Sequence, residues 1–235
     1  MGAKARDIQR VLADLADPEI AKVSRRFFKA EPGGYGEGDR FRGIRVPVLR
    51  SVAREHRDAP LEEARKLLTS SFHEDRLTAL FLLVRKFAEG DGETRRTIYE
   101  LYLTHTRFVN NWDLTDASAE HIVDAHLWDK DRAPLYQLAV SSNLWERRIA
   151  ILATFHFIKQ GAFEDTLRLA ERLLKDTEDL IHKACGWMLR EVAKRDAAAA
   201  EAFLEAHVRQ MPRVMLRYAI ERLPEAQRQA WLKAR

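Results

Sequence analysis

The sequence predicts an all-α fold, an α-solenoid of stacked HEAT-like helical pairs. Three observations carry this expectation. First, turn residues are scarce: five of the ten glycines fall between Gly33 and Gly43, and beyond Glu93 only Gly161, Gly186, Pro134, Pro212 and Pro224 remain. A β-rich chain needs turn signals roughly every 8–12 positions, and this chain has long runs rich in Ala, Leu, Arg and Glu instead. Second, apolar residues recur at helical spacing. Leu77, Leu80, Phe81, Val84 and Phe87 share one face, as do Leu144, Ile151, Leu152, Phe155 and Ile158, and Leu180, Ala184, Met188 and Val192. Third, basic residues stand at Arg76, Arg148, Lys183 and Arg217, separated by 72, 35 and 34 positions. Halving the first interval puts a missing slot on Trp112. Helix pairs with a period in this range cannot bury their apolar faces alone and stack side by side.

The elements follow in order. The N-terminal stretch (MGAKARDIQRVLADLA) lacks the apolar core of a secretory signal and reads as a first helix. Asp17-Pro18, Val46-Pro47, Ala59-Pro60 and Met211-Pro212 each place proline at a helix start. Residues 31–46 form the one long irregular stretch. Its spaced glycines follow no strand and precede no Gly-Lys-Ser/Thr, so it is expected to be a flexible connection carrying Arg40, Arg42 and Arg45 rather than a nucleotide loop. About twelve or thirteen helices, mostly of about 10–18 residues, are expected over a single domain spanning residues 1–235.

Composition bounds the function. With 46% hydrophobic and 32% charged residues over 235 positions, the chain reads as globular. No apolar run is long enough to span a membrane. Cys185 is the only cysteine, which excludes a disulfide framework and a thiolate metal site and fits a reducing cytoplasm. No cofactor is called for, and solenoids of this size are expected as monomers. His121 and His126 are five apart with Asp124 between them, which misses the i, i+4 spacing of a helical zinc site. Arginine supplies 29 of the 40 basic residues, and the net charge is +4. Arginine suits bidentate phosphate contacts.

The repeat register also groups the polar residues. Positions i and i+4 share a helix face. Trp112 is followed by Asp116 and Lys183 by Trp187, with Arg148 in the slot between. If the helices stack in order, these five face one concave, basic groove. Arg190 and Lys194 extend the stripe beyond Lys183, opposite an apolar face of Ile181, Ala184, Cys185, Met188, Leu189 and Val192. Cations interleaved with aromatics suit a nucleic-acid backbone and its bases. Asn111 is expected to cap the helix of Trp112, and Asp113 then falls in the first turn, where a carboxylate favours the helix dipole. Phe27, Phe28, Phe81, Phe155 and Phe157 read as core, Trp128, Trp145 and Trp231 as packing residues, and Arg147 as a surface charge.

Three ordered segments carry a resemblance: Trp112-Asp113-Leu114-Thr115-Asp116, then Asn143-Leu144-Trp145-Glu146-Arg147-Arg148, then Lys183-Ala184-Cys185-Gly186-Trp187-Met188-Leu189-Arg190-Glu191. In order and separation they match the Trp-Asp-x-x-Asp, Trp-x-x-Arg and Lys-Ala-x-Gly-Trp-x-Leu-Arg-Glu segments of a known family. From about Ala21 to Ala219 the chain resembles the AlkD-type DNA alkylation repair enzymes, DNA glycosylases built from HEAT-like repeats. The resemblance implies Asp116 as catalytic carboxylate and Trp112 and Trp187 as the aromatics flanking the damaged nucleotide. It implies Arg148, Arg190 and Lys194 as contacts to the DNA backbone; the groove reading adds Lys183. The implied substrate is duplex DNA carrying N3- or N7-alkylated purines.

Those residue types fit that chemistry. An alkylated purine is a cation with an already weakened glycosidic bond, and its departure leaves an oxocarbenium-like sugar. One carboxylate stabilises that charge and orients water, and so good a leaving group needs no second acid. Indole faces attract cations by roughly 0.5–2 kcal/mol per contact. Two alternatives remain open on the residues: a non-catalytic solenoid binding distorted or branched DNA, and a protein-interaction scaffold. Release of free base separates the enzyme from the first, and salt-dependent DNA affinity separates both from the second.

Overall fold

A computed structural model describes residues 2–234. The fold is all-α, a helical-repeat architecture, and among the described residues the only strand-like feature is an isolated bridge between Arg40 and Phe72. The chain divides into two compact units, Met1–Ile122 and Val123–Arg235.

The first unit contains α1 (Ala5–Asp14), α2 (Pro18–Phe27), α3 (Val46–Glu55), α4 (Leu61–Leu68), α5 (His73–Glu89), α6 (Gly92–Thr104) and the short α7 (Trp112–Asp116). Local chemistry sets the starts. Pro18 follows Asp17, whose carboxylate accepts from the Glu19 and Ile20 amides; Asp91 caps α6 through Thr94; Asn111 accepts from Trp112 N–H. Helix α5 packs on α3, α4, α6 and α7 and is the axis of the unit. Its first four residues are His73, Glu74, Asp75 and Arg76, all buried.

That buried polar end organises the Gly-rich segment. Glu74 accepts hydrogen bonds from the amides of Arg42, Gly43 and Ile44 at 2.9, 2.8 and 3.3 Å. Asp75 binds the Arg42 guanidinium at 2.7 and 3.1 Å, and the Arg42 carbonyl accepts from Asp17 N–H. Gly43 is in the left-handed region (φ +80°), where a Cβ would lie 2.1 Å from the Asp17 carbonyl. The segment expected as a flexible connection is therefore pinned, and Arg42 serves folding. Buried carboxylates must find donors, and these amides are the donors α5 recruits.

The second unit contains α8 (Ala125–Leu127), α9 (Ala133–Leu138), α10 (Leu144–Ala153), α11 (Phe155–Lys159), α12 (Glu164–Arg172), α13 (Asp179–Ala193), α14 (Ala197–His207), α15 (Arg213–Ala219) and α16 (Glu225–Ala234). Several elements are shorter than the expected lengths. One interruption has a visible cause: the buried Asp124 carboxylate accepts from the Phe157 amide at 2.9 Å, beside the α10–α11 break at Thr154. Helix α13 packs against α10, α12, α14 and α15. Its face Ile181, Ala184, Cys185, Met188, Leu189 and Val192 is buried, as the periodicity predicts.

The repeat slots hold their expected places. Arg148, Lys183 and Arg217 each occupy the fifth position of α10, α13 and α15, Arg76 the fourth of α5 and Trp112 the first of α7. Within each unit the slot helices neighbour one another, α5 on α7, and α13 on both α10 and α15.

Two further sequence readings of side chains change. Phe27 is 61% exposed rather than core. Arg147 is not a surface charge: it pairs with the buried Asp176 at 2.6 Å and donates to the Ser141 and Ser142 carbonyls. Both lie near helix ends, where spacing alone does not say which face a neighbour covers.

Gly186 is the closest approach of α13 to α15; a Cβ there would sit 2.4 Å from the Met215 carbonyl. Gly186→Ala is expected to cost about 1–3 kcal/mol through this overlap, read as a lower urea midpoint. An unchanged midpoint would show that the two helices separate without cost.

Candidate functional site

Helix α7 has only five residues, too few to hold its own orientation. Its position is set by what precedes and underlies it. Asn110 donates to Asp39 at 2.9 Å. Asp113 accepts from His73 Nε2 at 2.8 Å, and His73 Nδ1 donates to Asp39 at 3.2 Å. Arg76 also donates to Asp39, at 2.7 Å. Asp113, expected as a helix-dipole partner, is thus one end of a buried Asp39–His73–Asp113 bridge between the Gly-rich segment and α7.

Burial alone would lower the His73 pKa, but hydrogen bonds to Asp113 and Asp39 outweigh it and raise the pKa to about 9. The ring is therefore an imidazolium at neutral pH, donating from both nitrogens. The aromatic stack above it is continuous. His73 lies 4.7 Å from Phe28 and 5.0 Å from Phe41, and Phe28 stacks on Trp112 at 5.4 Å. The exposed Phe27 meets the Trp112 ring edge-on at 5.7 Å. Trp112 itself is half-buried. Spacing arguments missed His73 and Phe27. The available signal was the run His73-Glu74-Asp75-Arg76 at the head of an otherwise apolar helix.

One turn beyond Trp112, Asp116 is half-buried and accepts from Thr115 Oγ1 at 3.1 Å. It lines a cleft of about 370 Å³ together with Arg50, Arg54, Phe81, Arg85 and His121. Trp112 and Asp116 stand at the first and last positions of α7.

In the second unit, Lys183, Trp187, Arg190 and Lys194 form the less buried stripe of α13. The Trp187 ring lies 5.9 Å from Phe155. Arg190 pairs with Glu221, and Lys194 pairs with Glu191 at 2.6 Å. Arg148 is 5% exposed, and its Nη1 donates to the Leu180 carbonyl at 2.6 Å, tying α10 to the first turn of α13. Among the described residues no group of three or more His, Cys, Asp or Glu is placed to hold a metal, and no helix is long and apolar enough to cross a membrane.

A family model described as DNA alkylation repair enzyme matches residues 8–223. The chain belongs to the DNA alkylation repair enzyme family. Membership gives it a role in DNA repair with DNA as partner. Solved structures agree on the fold. A predicted DNA alkylation repair enzyme from Enterococcus faecalis superposes with a TM-score of 0.67 at 17% identity, covering 89% of this chain and 97% of that one. The protein smu.31 from Streptococcus mutans UA159 superposes at 0.52 with 16% identity, covering 94% and 100%. No curated protein matches the chain significantly. The three segments that carried the resemblance fall on α7, α10 and α13.

The His73 bridge predicts a pH dependence. Its folded pKa of about 9 lies above the ordinary value of 6.5, so its contribution to stability is complete below about pH 6.5 and is lost as pH rises through about 9. His73→Gln should cost about 3 kcal/mol near pH 6, because it strands a buried carboxylate. The difference from wild type should shrink toward about pH 10, where the wild type has lost the same charge. Urea unfolding at both pH values checks this, and a pH-independent difference would contradict it.

Proposed function

We propose that the protein is a DNA glycosylase that hydrolyses the N-glycosidic bond of cationic N3- or N7-alkylated purines in duplex DNA. The observation that carries the reading is Asp116: a half-buried carboxylate opening into an arginine-lined cleft, one turn from an aromatic stack that ends in Trp112 and Phe27. The family membership supports the repair context.

In this reading the alkylated purine leaves as a neutral base, and the sugar passes through an oxocarbenium-like state. Asp116 faces that charge and orients the attacking water. A carboxylate in a partly desolvated cleft acts more strongly on a developing cation than one in bulk water. Trp112 is assigned to the lesion, where an indole face favours a cation over an ordinary nucleoside; Trp187 is assigned to the lesion by its family motif alone. Lys183, Arg190 and Lys194 are assigned to backbone phosphates. For Arg190 and Lys194 this means exchanging Glu221 and Glu191 for phosphate oxygens. Arg148, whose Nη1 donates to the Leu180 carbonyl, is assigned to the phosphate beside the lesion. No cofactor enters the reaction.

Incubation with methylated duplex DNA should release 7-methylguanine and leave abasic sites. Asp116→Asn should slow release by about 100-fold or more, with DNA affinity and melting temperature close to wild type. Equal release rates would overturn the carboxylate assignment. DNA binding without any base release by the wild type would favour the non-catalytic reading. Trp187→Ala should reduce the preference for lesion over intact duplex more than it reduces total affinity, measured by anisotropy with matched duplexes.

A further inference from the structure

The cleft beside Asp116 holds more cation than one carboxylate accounts for. Arg50 and Arg54 stand at i and i+4 on α3, both exposed, and Phe81 and Arg85 at i and i+4 on α5. Helices α3 and α5 pack together, so the two pairs face one cleft. Three guanidiniums therefore share it with a single aspartate. Small side chains at Ala53, Ala88 and Ala117 keep it open.

Two of the three guanidiniums, Arg50 and Arg54, are held by groups other than acids. Arg50 lies over the Phe81 ring, 4.3 Å from its centroid, and Arg54 donates to Ser51 Oγ at 3.3 Å. No carboxylate pairs with either among the described residues. Arg85 pairs with the exposed Glu89 at 2.8 Å, while its Nε is buried with no hydrogen-bond partner. Guanidinium stacked on an aromatic ring is pre-oriented, which lowers the entropy lost on binding an oxyanion.

We propose that this cleft is a phosphodiester site, in which Arg50, Arg54 and Arg85 clasp the backbone of the strand whose damaged nucleotide lies at Asp116. The location relative to the lesion rests on the glycosylase reading; the anion site itself does not. Its chemistry is that of a diester: a single negative charge, two non-bridging oxygens, and sugars on either side to lie along the apolar floor. Backbone contacts made here belong to α3 and α5, separate from those assigned to α13.

The test is equilibrium binding of the full chain to an unmodified duplex across a salt series. Arg50→Ala/Arg54→Ala should bind about tenfold more weakly at low salt and flatten the slope of log affinity against log salt by about 0.9, the release of one phosphate contact. Arg50→Lys/Arg54→Lys should recover the slope but not the full affinity, because lysine keeps the charge and loses the fork. Both positions are exposed, and an unchanged melting temperature confirms folding. An unchanged slope in the folded alanine variant overturns the proposal. So does tight wild-type binding of a nucleoside monophosphate that the alanine variant loses while its DNA slope stays at the wild-type value, since the cleft would then take free phosphate. The two readings fail separately. Loss of slope with no base release from methylated DNA leaves the phosphodiester site standing and removes the glycosylase. Base release with an intact slope does the reverse.

Discussion

Four consecutive ionisable residues at the head of α5 are buried, and the first unit is arranged around satisfying them. His73, Glu74, Asp75 and Arg76 lie within 3% of complete burial. A helix N-terminus stabilises carboxylates, yet burial without hydrogen bonds costs more than the dipole returns. Partners must therefore come from elsewhere in the chain. Glu74 takes three amides of the Gly-rich segment, Asp75 takes Arg42, Gln9 and Ser70, and His73 takes Asp39 and Asp113. The same few contacts close the segment after α2 and set α7 in place.

This explains how so short a helix presents candidate catalytic groups. Five residues do not make a stable helix alone. Helix α7 is held at its start by Asn111 and by the Asp113–His73 bond, and at its end by the Tyr102–Ser118 pair at 2.9 Å and the Ser118 bond to the Leu114 carbonyl. Trp112 and Asp116 inherit their positions from these buried contacts. The aromatic stack continues the chain of support: imidazolium under Phe28, Phe28 under Trp112. A positioned carboxylate is worth more than a mobile one, because its alignment is settled before the reaction begins.

The second unit reaches the same end by packing. Helix α13 is long enough to be rigid, and Gly186 lets it lie against α15. With its apolar face covered, the remaining stripe of Lys183, Trp187, Arg190 and Lys194 is presented by geometry alone. The acids beside it, Glu191 and Glu221, pair with two of these cations, Lys194 and Arg190. On α13 two cations are thus paired with acids, whereas Arg50 and Arg54 on α3 have no acid partner among the described residues.

The sequence by itself determined the fold class, the helical faces and the repeat slots, because each depends on periods of three to four residues or on helix-pair spacing. It also located Trp112, Asp116 and the α13 stripe, since i, i+4 and i+7 relations survive any packing. Only the tertiary structure decided the rest. That Asp113 meets His73, that Arg42 meets Asp75, and that Arg50 and Arg85 share a cleft with Asp116 are contacts between residues about 30 or more positions apart, and local propensity has no term for them. Phe27 and Arg147 make the same point at single positions. Whether an aromatic ring is covered, or a guanidinium is claimed by a buried acid, depends on which neighbour arrives from elsewhere in the chain.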